Sequence, residues 1–156
     1  MNDPARLLEV LDALGGARTV VIGDIAADEF LYGRVARVSR EAPVLILEYD
    51  TTQIVPGGAG NAANNVAALG ARAHLFGCVG RDDQGARLVE ALRVAGVDAR
   101  GVVRMAGHTT TTKTRVLAGG IHSAKQQVVR IDRKGTPVAA RTVHAAWGTR
   151  LDAALR

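Results

Sequence analysis

Apolar positions recur at helical spacing near the start of the chain, where Leu7, Leu8, Val10, Leu11 and Leu14 share one face of a predicted helix that Gly15-Gly16 closes. The pattern then changes. In RTVVIGD (18–24) β-branched and apolar residues follow one another without polar alternation, which predicts a strand buried on both faces, as in a parallel sheet. RAHLFGCVG (72–80) and ARGVVRM (99–105) read the same way. Between them DDQGARLVEALRVAG (82–96) has acids at its start, apolar residues at helical spacing and a closing glycine. Strand, helix and strand alternate, which predicts right-handed βαβ units and a layered α/β fold.

Two stretches depart from that rhythm. Residues 31–55, LYGRVARVSREAPVLILEYDTTQIV, alternate as exposed antiparallel strands do, with Pro43 beside a turn-like SREA. Residues 109–132, TTTTKTRVLAGGIHSAKQQVVRID, read as a hairpin with Gly119-Gly120 at or near its turn. Together they predict a small β-layer projecting from the α/β core as a cover over a site. An extension of the main sheet is the alternative.

Composition narrows the partners. A chain of 156 residues that is 47% hydrophobic can bury the core of one domain, here residues 1–156. Its +5 net charge comes from bases spread along the sequence, and only 3% of residues are aromatic, so a nucleic-acid stacking surface has little to build on and small anions are the better expectation. The bases of GRVARVSR alternate as on a solvated strand face. Cys78 is the single cysteine, which excludes an internal disulfide and fits a reducing, cytoplasmic setting. No apolar stretch reaches membrane-spanning length, and the acidic N-terminus does not read as a signal peptide. His74, His108, His122 and His144 lack metal-ligand spacing, Cys78 reads as a small hydrophobe in a strand, and Trp147 reads as a packing residue on a C-terminal helix.

The chemistry concentrates in VPGGAGNAANNVAALGARAHLFGCVG (55–80). Gly57, Gly58 and Gly60 let backbone pass close to a ligand, Asn61 both donates and accepts, and a helix starting there presents free N–H groups. A polyhydroxylated ligand suits that set. A glycine-rich turn whose asparagines cap the helix is an equally open reading.

The spacing of Gly57-Gly58-Ala59-Gly60-Asn61-Ala62-Ala63 to Gly70 and Gly80 resembles the N-terminal signature of the PfkB (ribokinase-like) carbohydrate kinases. GDIAADEFLYG, RVSREAPVLIL, TTTKTRVL and QQVVRID are further similar, in order and spacing, to the heptose 7-phosphate kinase domains of that family, those joined to a heptose 1-phosphate adenylyltransferase. The resemblance runs from about residue 17 to 134 and implies a ribokinase-like three-layer α/β/α fold with a mostly parallel sheet and a projecting β-lid, truncated to the N-terminal half. It implies phosphorylation of D-glycero-β-D-manno-heptose 7-phosphate at O1 for ADP-heptose and lipopolysaccharide synthesis, with ATP and Mg2+ as cofactors. A homodimer formed through the lid is a further implication. Asp28 would meet a sugar hydroxyl, with Gly57, Gly58 and Asn61 in the sugar loop and Lys113 and Arg115, two apart on a lid strand, holding the 7-phosphate. Solvated surface charge is the other reading of either cation, and Asp24 is expected to be a turn or cap residue. The family's catalytic base and anion hole belong to a later GAGD-type motif, so no catalytic residue is expected among these 156 and the chain alone is expected to lack turnover. A sugar-phosphate-binding module without chemistry is the alternative.

Overall fold

A computed structural model of the chain describes residues 3–120, 124–138 and 140–156. Helix α1 (Pro4–Leu14), capped by the Asp3 carboxylate, precedes strands β1 (Arg18–Ile22), β2 (Ile25–Val38) and β3 (Leu45–Gly58). Helix α2 (Ala59–Ala68), strand β4 (Arg72–Gly80), helix α3 (Asp83–Val94) and strand β5 (Asp98–Met105) follow. The chain then forms β6 (Thr112–Gly119), β7 (Gln126–Arg133) and α4 (Ala140–Leu155), the last kinked at Gly148.

Two sheets result. β1, β4 and β5 pair in parallel in the order β1-β4-β5, and the other sheet has the order β3-β2-β6-β7, antiparallel except where β2 meets β6. Side chains alternate along β4. Ala73, Leu75 and Val79 face a core shared with Ala63 of α2 and with Leu88 and Leu92 of α3. On the opposite face Phe76 meets Trp147 of α4 edge to face, with ring centroids 5.8 Å apart. Helices therefore cover both faces of the parallel sheet, which gives the three-layer α/β/α arrangement expected, with the second sheet as the projecting lid.

The expected burial of β1 on both faces is corrected. Its pattern is largely intermediate, and Ile22 is 52% exposed. Among the described residues β1 pairs with β4 alone and α4 packs on β4 and β5, so one edge and part of one face of β1 meet solvent. The apolar stripe of α1 likewise buries no residue. β6 ends at Gly119, at the glycine pair where a turn was expected, while residues 121–123, with His122, lie outside the described residues.

Asp82 joins the two sheets. Its carboxylate caps α3 by accepting from Gly85 N (2.8 Å), and also accepts from the N–H (2.8 Å) and hydroxyl (2.6 Å) of the buried Thr110, just before β6. The Thr110 hydroxyl in turn accepts from Gly80 N at the end of β4 (2.8 Å). Burial pushes the Asp82 carboxyl up, but these hydrogen bonds outweigh it and hold the group below its ordinary value.

Candidate functional site

The glycine loop turns β3 into α2 where the two sheets meet. Gly58, the N-cap of α2, has φ 60° and ψ −131°, a conformation that side chains disfavour, and a Cβ there would also lie 2.5 Å from the Asp24 carbonyl oxygen. That same carbonyl accepts from Ala59 N (2.8 Å), which places Asp24 in the turn between β1 and β2. At Gly57 a Cβ would sit 2.6 Å from Asp28 Oδ2. The glycine thus leaves room for the Asp28 carboxylate against bare backbone. Asn61 is exposed on the first turn of the same helix, which has no side-chain cap.

The lid supplies the charge. In the parallel register Asp28 and Phe30 of β2 lie across from Lys113 and Arg115 of β6, and all four share one face. Arg115 Nη1 donates to Asp28 Oδ1 at 2.6 Å, with both side chains about one quarter exposed. The same guanidinium lies 5.3 Å from the centroid of the Phe30 ring, which is stacked with Tyr32. Across the β6–β7 hairpin, Lys113 and Arg115 pair with Asp132 and Arg130. Arg130 makes two bonds to Asp132, and this, with the nearby charges of Lys113 and Arg115, holds the Asp132 carboxyl below its ordinary value. At the far end Lys125 pairs with Asp50 and lies over Tyr32, while Arg34 Nε donates to Asp50 at 3.1 Å. On the other face Glu29 accepts from Thr114 (2.6 Å) and faces Arg87 of α3 (3.8 Å).

The structure therefore brings Asp28, Gly57, Lys113 and Arg115 together, with Gly58 and Asn61 on the adjoining helix start. One placement differs from the expectation for free phosphate ligands: Arg115 is bonded to Asp28. Sequence reading missed Phe30 and Tyr32, although the period of two from Asp28 puts both rings on its face. A cavity of about 490 Å3 opens beside this region, lined by Asp24, Ala26, Cys78, His108, Thr111 and Trp147 among others. Burial, and secondarily the Asp24 charge, pushes the Cys78 thiol up, away from the reactive thiolate.

Two of the remaining candidates are hydrogen-bonded within the chain. His74 Nδ1 lies 3.0 Å from Asp98 and His108 Nδ1 3.2 Å from Thr136 Oγ1. Among the described residues no three His, Cys, Asp or Glu side chains gather as a metal site, and no helix is long and apolar enough to cross a membrane.

Known proteins resemble this chain in sequence and in fold. The family model for pfkB family carbohydrate kinase matches residues 17–133, and the chain belongs to that family. It is 46% identical over 131 residues to the bifunctional protein HldE of Gluconobacter oxydans, covering 83% of this chain and 26% of that protein. For the HldE protein of Caulobacter vibrioides the identity is 43% over 144 residues, covering 91% and 29%. The chain thus spans about a quarter of the length of the curated relatives it matches. Among solved structures, the Arabidopsis thaliana ribokinase complexed with ribose and ATP superposes with a TM-score of 0.53 at 22% identity, covering 77% of this chain and 36% of that one. A carbohydrate kinase from Agrobacterium tumefaciens gives 0.52 at 21% identity, covering 73% and 34%. The fold is ribokinase-like.

Proposed function

We propose that these residues form the sugar-binding part of an ATP-dependent carbohydrate kinase that acts on a phosphorylated sugar, with D-glycero-β-D-manno-heptose 7-phosphate, phosphorylated at O1, as the substrate. The observation that carries this reading is the Asp28 carboxylate, seated against the bare backbone of Gly57 and facing Lys113 and Arg115 on the lid. A carboxylate and an amide side chain suit hydroxyls that donate and accept at once. Two cations two residues apart suit a phosphate, Arg as a fork and Lys as a point charge. Asp28 and Asn61 would hold sugar hydroxyls, Gly57 and Gly58 would let the sugar approach the chain, and Lys113 and Arg115 would take the phosphate. Similarity to HldE proteins supports the heptose and, with it, a cytoplasmic role in ADP-heptose supply for lipopolysaccharide. A homodimer through the lid belongs to the same proposal.

ATP and Mg2+ enter through the family. The charged groups around the glycine loop suit a sugar phosphate, so in this proposal this part of the chain serves the acceptor rather than the nucleotide. Phosphoryl transfer needs a base for the attacking hydroxyl and electrostatic support of the moving phosphate. The residues of this chain would bind and orient the acceptor sugar.

The test is calorimetric titration of the heptose 7-phosphate into the chain and its Asn61→Ala and Asp28→Asn variants. Each substitution should weaken binding by about 1 to 3 kcal/mol, the usual cost of an unpaired polar partner. Unchanged affinity in both would sink the assignment. Residues 1–156 alone should show no sugar-dependent ADP release, and turnover by them would place the catalytic base within this chain.

A further inference from the structure

The sugar-phosphate reading leaves Phe30 without a role, and its surroundings suggest one. Phe30 is only half-buried, on the lid face that carries Asp28 rather than the face turned to α3. Its ring lies directly across the register from Arg115, 5.3 Å below the guanidinium. Among the described residues Arg115 bonds through a single nitrogen: Nη1 donates to Asp28 at 2.6 Å and, weakly, to the Lys113 carbonyl at 3.5 Å. Nε and Nη2 keep their donors. The neighbouring Arg130 differs, since both its Nε and its Nη2 are bonded to Asp132. An arginine on a flexible stem loses much of its rotamer freedom when it grips an anion, and a ring beneath it, with a carboxylate at one corner, removes that freedom beforehand.

We propose that Phe30 is a positioning residue for phosphate recognition. Its ring and Asp28 together fix the Arg115 guanidinium so that the unbonded Nε and Nη2 edge faces the phosphate of the bound sugar, and the chain selects phosphorylated over unphosphorylated sugars through this backed arginine. The inference rests on the sugar-phosphate reading above. It adds a residue that touches neither hydroxyl nor phosphate and acts only through Arg115.

The experiment measures the dissociation constants of the heptose 7-phosphate and of the same heptose without phosphate, by calorimetry, for the wild-type chain and for Phe30→Leu, Phe30→Tyr, Arg115→Ala and the Phe30→Leu/Arg115→Ala double variant. Phe30→Leu should lower the preference for the phosphorylated sugar by about tenfold and leave the affinity for the unphosphorylated one unchanged. Phe30→Tyr, which keeps a ring face, should retain the preference. In the Arg115→Ala background, Phe30→Leu should cost nothing more. Equal weakening of both sugars by Phe30→Leu, or additive losses in the double variant, would overturn the positioning role while leaving the site intact. A wild-type chain without preference for the phosphorylated sugar would instead overturn the reading of the site, and the role of Phe30 with it.

Discussion

The two sheets are held together by different physics. In the parallel sheet and its helices, Leu75, Val79, Leu88 and Leu92 are fully buried and cohesion comes from close-packed aliphatic surface. In the lid, Ile25 and Ala27 at the base of β2 join that core, but β7 is exposed along its whole length, with Ile131 at 58%, and beyond the base cohesion comes from strand pairing and from charged pairs such as Arg115–Asp28 and Lys125–Asp50. The packed half resists change and the charged half offers unsatisfied chemistry. On the function proposed above, recognition falls on the less densely packed half, and the glycine loop at the seam brings ligand groups from both halves together.

The sharpest way to break this contrast is to cut equal pieces from each half. Leu88→Ala should lower the unfolding free energy by about 2 to 5 kcal/mol, through lost burial and a residual cavity, as read from urea denaturation. Ile131→Ala on the lid should change it by no more than about 0.5 kcal/mol. Comparable losses would show that the lid is packed as tightly as the core.

The seam comes next. Asp82→Ala removes the α3 cap and strands the buried Thr110, and should cost about 2 to 4 kcal/mol. Because the Asp82 pKa is lower in the folded chain than in the unfolded one, its carboxylate stabilises the fold fully above the unfolded value and loses that effect as pH falls through the folded value. Stability should therefore decline with acid below about pH 4, the ordinary aspartate range, and Asp82→Asn should decline less steeply. Asp98, held well below its ordinary value by the Arg100 hydrogen bonds, acts in the same direction, so the difference between the two proteins is the informative quantity. An identical slope would remove Asp82 from the acid response.

The smallest effect belongs to the far end of the lid. Lys125→Ala should change global stability by less than about 1 kcal/mol, since the pair with Asp50 is partly exposed. It should speed hydrogen exchange of β2 and β3 beyond Tyr32 while leaving β4 unchanged. Equal acceleration in β4 would mean that lid and core open together.

The core was legible because its signals are local. The apolar run of 72–80 coincides with β4, and the acid start and closing glycine of 82–96 bracket α3. The solvent exposure of Ile22 was not legible, since it depends on which strand neighbours β1 and where α4 packs. At the site, the glycine spacing marked the loop, but not that Gly57 is bare to admit the Asp28 carboxylate. The Arg115–Asp28 bond joins residues 87 positions apart and follows from the parallel β2–β6 register, which no short-range pattern encodes.

That long-range pairing also sets an order of events. Bringing β2 to β6 in an otherwise open chain closes a loop of that length, an entropic barrier of about 4 kcal/mol from the logarithmic dependence on length, before any contact rewards it. Once β4, α3 and β5 have condensed, Thr110 is already anchored to Gly80 and Asp82, and the remaining search is short. The lid should zip last, with β2 and β6 formed late in the folding transition state and the core helix α3 formed early. The proposed binding face would then be the last surface the chain acquires on folding and, by microscopic reversibility, the first it gives up.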